Sequence, residues 1–355
     1  MKIKNIRFRN YKKFVQEQEL SFCNPEGEIH ERTLIVGDNG TGKSTVLQAI
    51  VLLIAGVTRK NFDLKGLDWP GFEYRHLQTG RMPLKLEADI LFDDQEVKAT
   101  YDFAKQLKDE KMIKTLPSTE QKLTLFLNYD QQKIIVEGRN RAFFQFSGYQ
   151  FAKQLAARTP DKSRLFENVG NIYWYNEQRT SYSLSQVLDE NDQPQIDSLR
   201  GFLASAYNYH LAIKNEGRQI REGEFDFYEK LENLYKSVFP GNHFVGSTPR
   251  FDIFEQASVP DFYLYDGKNE YEISGMSAGE RAIFPILMDF ARWNINNSII
   301  IIDEIELHLH PPLQQLLVRA LPKLGNNNQF ILTTHSDAVA SMFDEEENEI
   351  IRLKS

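Results

Sequence analysis

The sequence predicts an α/β fold with a largely parallel sheet and an antiparallel β part beside it. A glycine-rich loop, residues 37–44, stands between a strand-like and a helix-like segment. Strand-like and helix-like segments also alternate in the C-terminal part, as a parallel sheet requires. In the first half, by contrast, apolar residues recur at every second position, the period of half-buried strands. With 355 residues, 41% of them hydrophobic, the chain can form one large core or two smaller ones.

The first half of the chain is predicted to be mostly strands. Residues 84–89 and 123–127 alternate apolar with polar side chains, and the apolar run 90–92 closes the first of these segments. Residues 133–136 are expected to pair back across 128–130. The opening segment is basic, with Lys2, Lys4, Arg7, Arg9, Lys12 and Lys13 and no acidic residue among them. Because the net charge is −8, nucleic acid would have to bind such a local patch. A solvated edge strand is the alternative that we favour.

From about residue 150 the pattern becomes helical. One apolar face at helical spacing ends before Pro240 and Gly241, and it predicts core packing; its members are Tyr228, Leu231, Leu234, Tyr235 and Val238. Residues 262–265 and 270–273 flank Asp266 and Gly267, a pattern typical of a hairpin. The longest apolar stretch, residues 46–57, is too short to span a bilayer, and the single cysteine fits a reducing compartment. We therefore expect a cytoplasmic protein without a membrane partner.

The glycine-rich loop follows the strand-like residues 33–36 and matches G-x-x-x-x-G-K-[ST] at every fixed position. Glycines let backbone N–H groups turn toward phosphate oxygens, and the following helix N-terminus adds a partial positive charge. Lys43 would neutralise the β- and γ-phosphates, and the Ser44 hydroxyl would complete the Mg²⁺ shell. The loop therefore predicts a site for ATP and Mg²⁺ made of Gly37, Asp38, Asn39, Gly40, Thr41, Gly42, Lys43, Ser44 and Thr45.

Four isoleucines, residues 299–302, predict a central strand that is buried on both faces. The strand ends in Asp303 and Glu304, at the edge where α/β sheets place their ligands. Asp303 would hold Mg²⁺, and Glu304 would act as the base or orient the attacking water. A chance pair of acids at a strand end is the alternative, which the upstream loop disfavours. His308 and His310 supply only two ligands with no third nearby, so a structural turn is preferred there to a metal pair.

Two further segments complete the candidate site. Residues 330–333 predict another buried strand, and His335 follows it at the same edge, within reach of the γ-phosphate or the attacking water. Residues 277–281 read Ser-Ala-Gly-Glu-Arg. Taken alone, this run indicates a helix start, with Ser277 as N-cap and Glu280 three residues later. Placed between the phosphate loop and the acidic strand, it indicates a nucleotide site that one chain cannot complete.

In this combination and order, the four motifs resemble those of ATP-binding-cassette ATPases: Walker A at residues 37–44, the signature at 277–281, Walker B at 299–304, and the switch histidine His335. The resemblance covers roughly residues 1–60 and 270–340. It implies two heads paired head-to-tail, so that Ser277, Gly279 and Glu280 of one subunit meet the γ-phosphate bound at Lys43 of the other. It also implies that residues 307–310 run along the dimer seam. A glutamine between the lobes would contact nucleotide and metal, and Gln178 is the candidate; Tyr11 and Phe14 are the aromatic residues that could stack on adenine.

The run Asp-Glu-Ile-Glu-Leu-His-Leu-His-Pro and the opening residues 3–14 are similar to RecF/SMC-like and OLD-type ATPases. No coiled-coil arm is evident, and few residues follow His335, so the chain looks like a stand-alone head of the Septu-type defence kind. The expected fold class is an α/β P-loop NTPase, an ABC-type ATPase head with an antiparallel β subdomain and a helical insertion. One head, residues 1–355, would comprise an N-terminal lobe with Walker A (1–140), the helical insertion (141–270) and a C-terminal lobe with the remaining motifs (271–355).

The resemblance implies a Mg²⁺-dependent ATPase that works as a homodimer or higher oligomer. Its paired heads would gate a DNA-linked activity or a partner effector, such as a nuclease or toxin, in antiphage defence or DNA repair. A nucleotide-gated scaffold with little turnover is the alternative. A transporter subunit is a weaker alternative. The chain between Ser44 and Ser277 is much longer than the compact helical segment that transporter subunits have between these two motifs.

Overall fold

The computed structural model describes residues 1–58, 73–79, 82–107, 118–128, 131–136, 142–158, 164–176, 181–183, 196–220, 224–249 and 259–354. Numbered along this part of the chain, the strands are β1 Lys2–Arg9, β2 Gln18–Ser21, β3 Arg32–Val36, β4 Leu84–Leu91, β5 Glu120–Asn128, β6 Gln131–Val136, β7 Ile172–Tyr175, β8 Ser181–Ser183, β9 His243–Thr248, β10 Asp261–Tyr265, β11 Glu270–Glu272, β12 Ile299–Ile302, β13 Gln329–Thr333 and β14 Ile350–Arg352. The helices are α1 Lys43–Thr58, α2 Asp94–Gln106, α3 Ala142–Gln145, α4 Gly148–Ala156, α5 Ile196–Glu216, α6 Phe227–Val238, α7 Ala278–Trp293, α8 Pro311–Ala320 and α9 Asp337–Ala340. None of these helices is long and apolar enough to cross a membrane.

A six-stranded sheet in the order β14-β3-β13-β12-β7-β8 forms the centre of the molecule. All its neighbouring strands run parallel except β8, which is antiparallel to β7. The isoleucine strand β12 therefore lies between β13 and β7, as its continuous apolar run predicts. Because β3, β13 and β12 are adjacent and parallel, the segments that follow their carboxyl ends emerge side by side.

Both faces of the parallel sheet are covered by apolar layers, which explains why its strands read as continuous hydrophobic runs. On one face, Ile299 and Ile301 pack with α1 and the antiparallel sheet. On the other face, Ile300 and Ile302 pack with α6, α7 and α8. Since successive side chains of a strand point to opposite faces, one strand contributes to both cores.

The antiparallel sheet has the order β2-β1-β4-β5-β6. Its alternating pattern and the β5–β6 pairing agree with the sequence prediction. The prediction that the basic opening segment is an edge strand is wrong, because β2 returns and pairs along the outer side of β1. Arg7 in β1 also lies between two carboxylates, 2.9 Å from Asp89 and 3.0 Å from Glu19. Its charge is therefore neutralised inside the subunit.

Residues 141–270 contain helices and also strands. The predicted apolar face forms α6, which ends at Val238 before Pro240, and the predicted hairpin forms β10 and β11. In the same range, β7 is a member of the parallel sheet and pairs with β12 from Ile172 to Tyr175. Part of the segment expected as a helical insertion therefore belongs to the central sheet itself.

Candidate functional site

The phosphate loop connects β3 directly to α1. Gly40 and Gly42 have φ angles of +77° and +103°, which L side chains rarely adopt. Thr41 closes the loop, since its hydroxyl donates to the carbonyl of Asp38 at 2.8 Å. Asp38, Asn39 and Gly40 are exposed, whereas Ser44 and Thr45 at the start of α1 are half-buried. The loop thus combines an accessible backbone with a helix N-terminus, as an anion site requires.

Lys43 is held inside the phosphate loop. Its Nζ donates to the carbonyls of Gly37 at 2.9 Å and Asp38 at 3.3 Å, and the residue is 7% exposed. Burial lowers the pKa of the Lys43 ammonium, and the negative charges of nearby carboxylates, Glu304 and Asp303 foremost, oppose that effect. The structure therefore brings together the two motifs that the sequence separates by more than two hundred residues.

The acidic pair at the end of β12 is fixed by Thr333 at the end of β13. The Thr333 hydroxyl donates to Asp303 Oδ1 at 2.5 Å and accepts the backbone N–H of Glu304 at 2.7 Å. The backbone N–H of Asp303 donates to the carbonyl of Tyr175 at 2.9 Å. Glu304 has a φ of +47°, uncommon for a residue with a side chain and a feature that clusters at functional sites. Thr333 was missed by the sequence reasoning, which treated it only as the last residue of a strand.

His335 lies at the predicted edge, exposed, in the switch loop (residues 334–336) after β13. Its backbone N–H donates to Glu306 Oε1 at 2.6 Å, and the Thr334 hydroxyl donates to Glu306 Oε2 at 2.6 Å. Glu306 belongs to the loop that follows the acidic pair (residues 305–310), named the seam loop because the resemblance implies that its residues 307–310 run along a dimer seam. It too was missed as a site residue, although its place two residues after Glu304 is a signal that the sequence carries.

The signature run begins α7. Ser277 caps the helix, accepting the N–H of Glu280 at 3.2 Å, while the Glu280 carboxylate accepts the N–H of Ser277 at 2.8 Å. This is the capping box that the run indicates when taken alone. Glu280 is 7% exposed and also accepts hydrogen bonds from the hydroxyls of Tyr235, at 2.5 Å, and Tyr271. Its carboxylate is thus engaged inside the subunit, whereas Ser277 is exposed.

Gly279, by contrast, packs closely against the seam loop and the start of α8. A Cβ at this position would lie 2.7 Å from Cδ2 of Leu313 and 3.5 Å from Cδ2 of Leu309. Among the described residues, no hydrogen bond or ion pair joins the signature run to the phosphate loop of the same subunit.

A turn after β1 places two lysines beside the phosphate loop. Lys13 is exposed and its Nζ donates to the carbonyl of Gly40 at 2.5 Å, while Lys12 Nζ donates to Gln48 of α1 at 2.5 Å. In the sequence both lysines belong to the basic opening segment, which is interpreted as a solvated edge strand or a patch for nucleic acid, not as part of the phosphate site. Of the two aromatic residues considered for adenine, Tyr11 is fully buried, so it is not available for stacking. Phe14 is half-buried and packs on Phe8, with ring centroids 4.5 Å apart.

Two ligands were predicted for a metal besides Asp303. Ser44 lies at the first turn of α1, directly after Lys43, whereas Gln178 lies outside the described residues. In the described part of the chain, no group of three or more His, Cys, Asp or Glu side chains is arranged to hold a metal ion. One carboxylate and one hydroxyl fit Mg²⁺ nevertheless, because this ion is usually bound through one or two protein ligands, substrate phosphates and water.

A family model described as AAA ATPase domain matches residues 1–340. The chain therefore belongs to the AAA ATPase domain family. Curated relatives include the Retron Vc95 probable ATPase of Vibrio cholerae serotype O1 biovar El Tor, 24% identical over 99% of this chain and 73% of the relative. The Retron Ec83 probable ATPase of Escherichia coli is 39% identical over 33% of this chain and 24% of the relative. The Septu protein PtuA of Bacillus mycoides (strain KBAB4) is 22% identical over 94% of this chain and 38% of that protein.

Solved structures that share the fold include heads of SMC proteins. An SmcHead bound to the C-winged helix domain of ScpA superimposes with a TM-score of 0.53 at 14% identity, over 96% of this chain and 92% of the other. The Smc head domain of Pyrococcus yayanosii superimposes with a TM-score of 0.50 at 11% identity, over 96% of this chain and 93% of the other. The predicted fold class and the predicted resemblance to SMC-like and Septu-type ATPases are thereby confirmed.

Proposed function

We propose that this ATPase uses Mg²⁺ and that its catalytic unit is a pair of heads. One observation carries the proposed hydrolysis: adjacent parallel strands bring Lys43, the acidic pair and His335 to a single edge of the sheet. A phosphate-binding lysine, carboxylates for metal and water, and a polar group at the γ-phosphate are the parts that phosphoryl transfer to water needs.

The residues at this edge have roles that follow from their chemistry. Ser44 and Asp303 would hold the metal, with Gln178 as a further proposed ligand, and the ion would neutralise and orient the phosphates. Lys43, already turned toward the loop carbonyls, would exchange those contacts for phosphate oxygens. Glu304 would take the proton of the attacking water, and His335 would donate a hydrogen bond to the γ-phosphate.

The proposal of a dimer is supported by the signature run. Ser277 is exposed at the start of α7, and among the residues that the structure describes no hydrogen bond joins it to the phosphate loop of its own subunit. Ser277 and Gly279 are therefore proposed to cap the γ-phosphate held by the opposite head. Glu280 was expected to join that contact, but its buried carboxylate supports a different role, which is to hold the turn that presents Ser277.

We further propose that the closed pair of heads controls a partner effector in antiphage defence. Support comes from relatives named for retrons and for Septu, and from the SMC head that is bound to a protein domain. A protein partner is preferred to direct DNA contact, since the net charge is −8 and Arg7 of the basic strand is paired with acids. The chain spans only 24% and 38% of the length of two of its relatives, so the activities of those whole proteins are not assigned to it.

The test combines turnover and sedimentation. In Glu304→Gln, phosphate release should fall by about 100-fold or more while ATP still binds, so that ATP and Mg²⁺ convert the protein to a dimer. Lys43→Ala should abolish both binding and dimerisation. Glu346→Gln, in an exposed turn, is the matched control and should behave as wild type. A Glu304→Gln protein that stays monomeric at saturating ATP would refute the paired site, and wild-type protein without turnover would favour the scaffold alternative.

A further inference from the structure

Three consecutive residues of the switch loop are each held by a hydrogen bond to the seam loop or to the helix after it. Thr334 donates its hydroxyl and His335 its backbone N–H to the two oxygens of Glu306, both at 2.6 Å. Ser336 donates its hydroxyl to Oε1 of Gln314 in α8, at 2.5 Å. The residue that carries the imidazole is thus fixed together with both of its neighbours.

Gln314 and Thr334 connect these bonds into one network. The Gln314 side chain is buried, and its Nε2 donates to the carbonyl of Leu309 at 2.8 Å, so it bridges the two loops. The Thr334 hydroxyl also accepts the N–H of Ser336 at 3.0 Å, which closes the switch loop on itself. Every polar atom of the Glu306 and Gln314 side chains takes part, and such fully satisfied networks make a local structure rigid.

The exposure of His335 makes this support necessary. An exposed side chain receives little guidance from packing, so the direction of the imidazole depends on the backbone that carries it. That backbone is fixed by Glu306 and not by regular structure, because β13 ends at Thr333 and α9 begins only at Asp337. The seam loop is itself an irregular turn, in which His308 has a φ of +64°.

We propose that Glu306 and Gln314 are positioning residues, which hold His335 in register with the γ-phosphate and so set the turnover number. This rests on the proposed ATPase function. Because neither side chain is expected to touch the nucleotide, their loss should lower kcat and leave ATP affinity nearly unchanged. A shift of about 1 Å in a catalytic group can cost about 100-fold in rate, which is the order of effect expected for loss of both bonds at Glu306.

The experiment compares Glu306→Ala, Glu306→Gln and Gln314→Met. We expect kcat to fall about 100-fold in Glu306→Ala, with KM and the affinity for a non-hydrolysable ATP analogue within about threefold of wild type. Glu306→Gln should recover part of the rate, since its amide oxygen can still accept the N–H of His335. Gln314→Met should lower kcat about tenfold, and it changes no charge near Lys43, which separates positioning from electrostatics.

Asp266→Ala provides the matched control. Asp266 also accepts two backbone N–H groups in a loop, at 2.7 and 2.8 Å, but it lies in the β10–β11 turn, so turnover should stay as in wild type. The proposal is overturned if Gln314→Met and a folded Glu306→Ala keep wild-type kcat, or if they raise KM at unchanged kcat. Should Glu306→Ala fail to fold, Gln314→Met decides. Absence of turnover in the wild type would overturn the proposed function as well, whereas wild-type turnover with unaffected variants overturns only this inference.

Discussion

Replacing Glu280 by alanine tests whether its carboxylate supports the signature turn or binds nucleotide. The carboxylate accepts three hydrogen bonds within the subunit, from the hydroxyls of Tyr235 and Tyr271 and from the backbone of Ser277. It thereby joins α6, β11 and the start of α7. Removing it leaves three donors without their charged partner, and one of them, the Tyr235 hydroxyl, is fully buried.

The expected loss of stability follows from these contacts. A hydrogen bond to a charged group contributes about 1.5–3 kcal/mol, and a helix cap about 1 kcal/mol. The two tyrosine hydroxyls lie 3.3 Å apart and can still bond to each other, which recovers part of the loss. We therefore expect Glu280→Ala to lower the free energy of unfolding by about 4 kcal/mol.

Urea unfolding of wild type, Glu280→Ala, Tyr235→Phe and the double variant measures this loss and the coupling between the pair. The coupling energy should be about 1.5–3 kcal/mol, because residues in one hydrogen-bond network are not additive. Nucleotide affinity of the isolated head should not change. A loss below about 1 kcal/mol, or a tenfold loss of ATP affinity at unchanged stability, would refute the structural role.

The pH dependence of Glu280 gives a second measurement on the same contact. Burial alone would raise the pKa of Glu280, but hydrogen bonds from Tyr235, Tyr271 and Ser277 outweigh it and lower the pKa. A carboxyl with a lowered pKa stabilises the fold above its ordinary pKa, and this contribution is lost as the pH falls through the folded-state value. The difference in stability between wild type and Glu280→Ala should therefore shrink in acid.

Two further predictions concern the phosphate loop and the hairpin. Gly42→Ala should lower the affinity for a fluorescent ATP analogue by about tenfold or more, because the φ of Gly42 is +103° and the new Cβ would lie 2.7 Å from Cζ of Phe14. Gly40→Ala should lower that affinity less, because its new Cβ would meet no atom within 4 Å and only the positive φ opposes it. Burial would raise the pKa of Glu272, but hydrogen bonds from Arg200 and from the turn that follows Glu272 lower this pKa to about 2. Glu272 should therefore contribute about 2 kcal/mol to the free energy of unfolding above about pH 4.5, and this contribution should disappear toward pH 2. In Glu272→Gln, the stability should change less with pH over this range, as acid unfolding would measure.

The parts of the fold that the sequence predicts are those specified by local pattern. Four isoleucines in a row require a strand that is covered on both faces, and the order β13-β12-β7 supplies that cover. The spacing of glycines and lysine in the phosphate loop likewise encodes a backbone shape, which the positive φ angles of Gly40 and Gly42 show. In both places the signal lies within a few consecutive residues, so no distant partner had to be known.

The parts that the sequence does not predict depend on partners that are distant along the chain. The opening strand is wrongly expected at an edge, because nothing in its own residues shows that β2 returns beside it. Thr333 and Glu306 have no feature in their own residue type that marks them as site residues. They acquire a role only because the parallel sheet brings the ends of β12 and β13 together, about 30 residues apart in sequence.

The signature run has two interpretations that do not exclude each other. Ser-x-x-Glu is a capping box, and the structure contains that box in full. A capping box, however, needs only Ser277 and Glu280, and it explains neither the exposed serine nor the glycine between them. Gly279 is explained by close packing on Leu309 and Leu313, which ties the helix start to the seam loop. The box therefore fixes the turn that carries the exposed serine, as the proposed cap on a nucleotide in an opposite head would require.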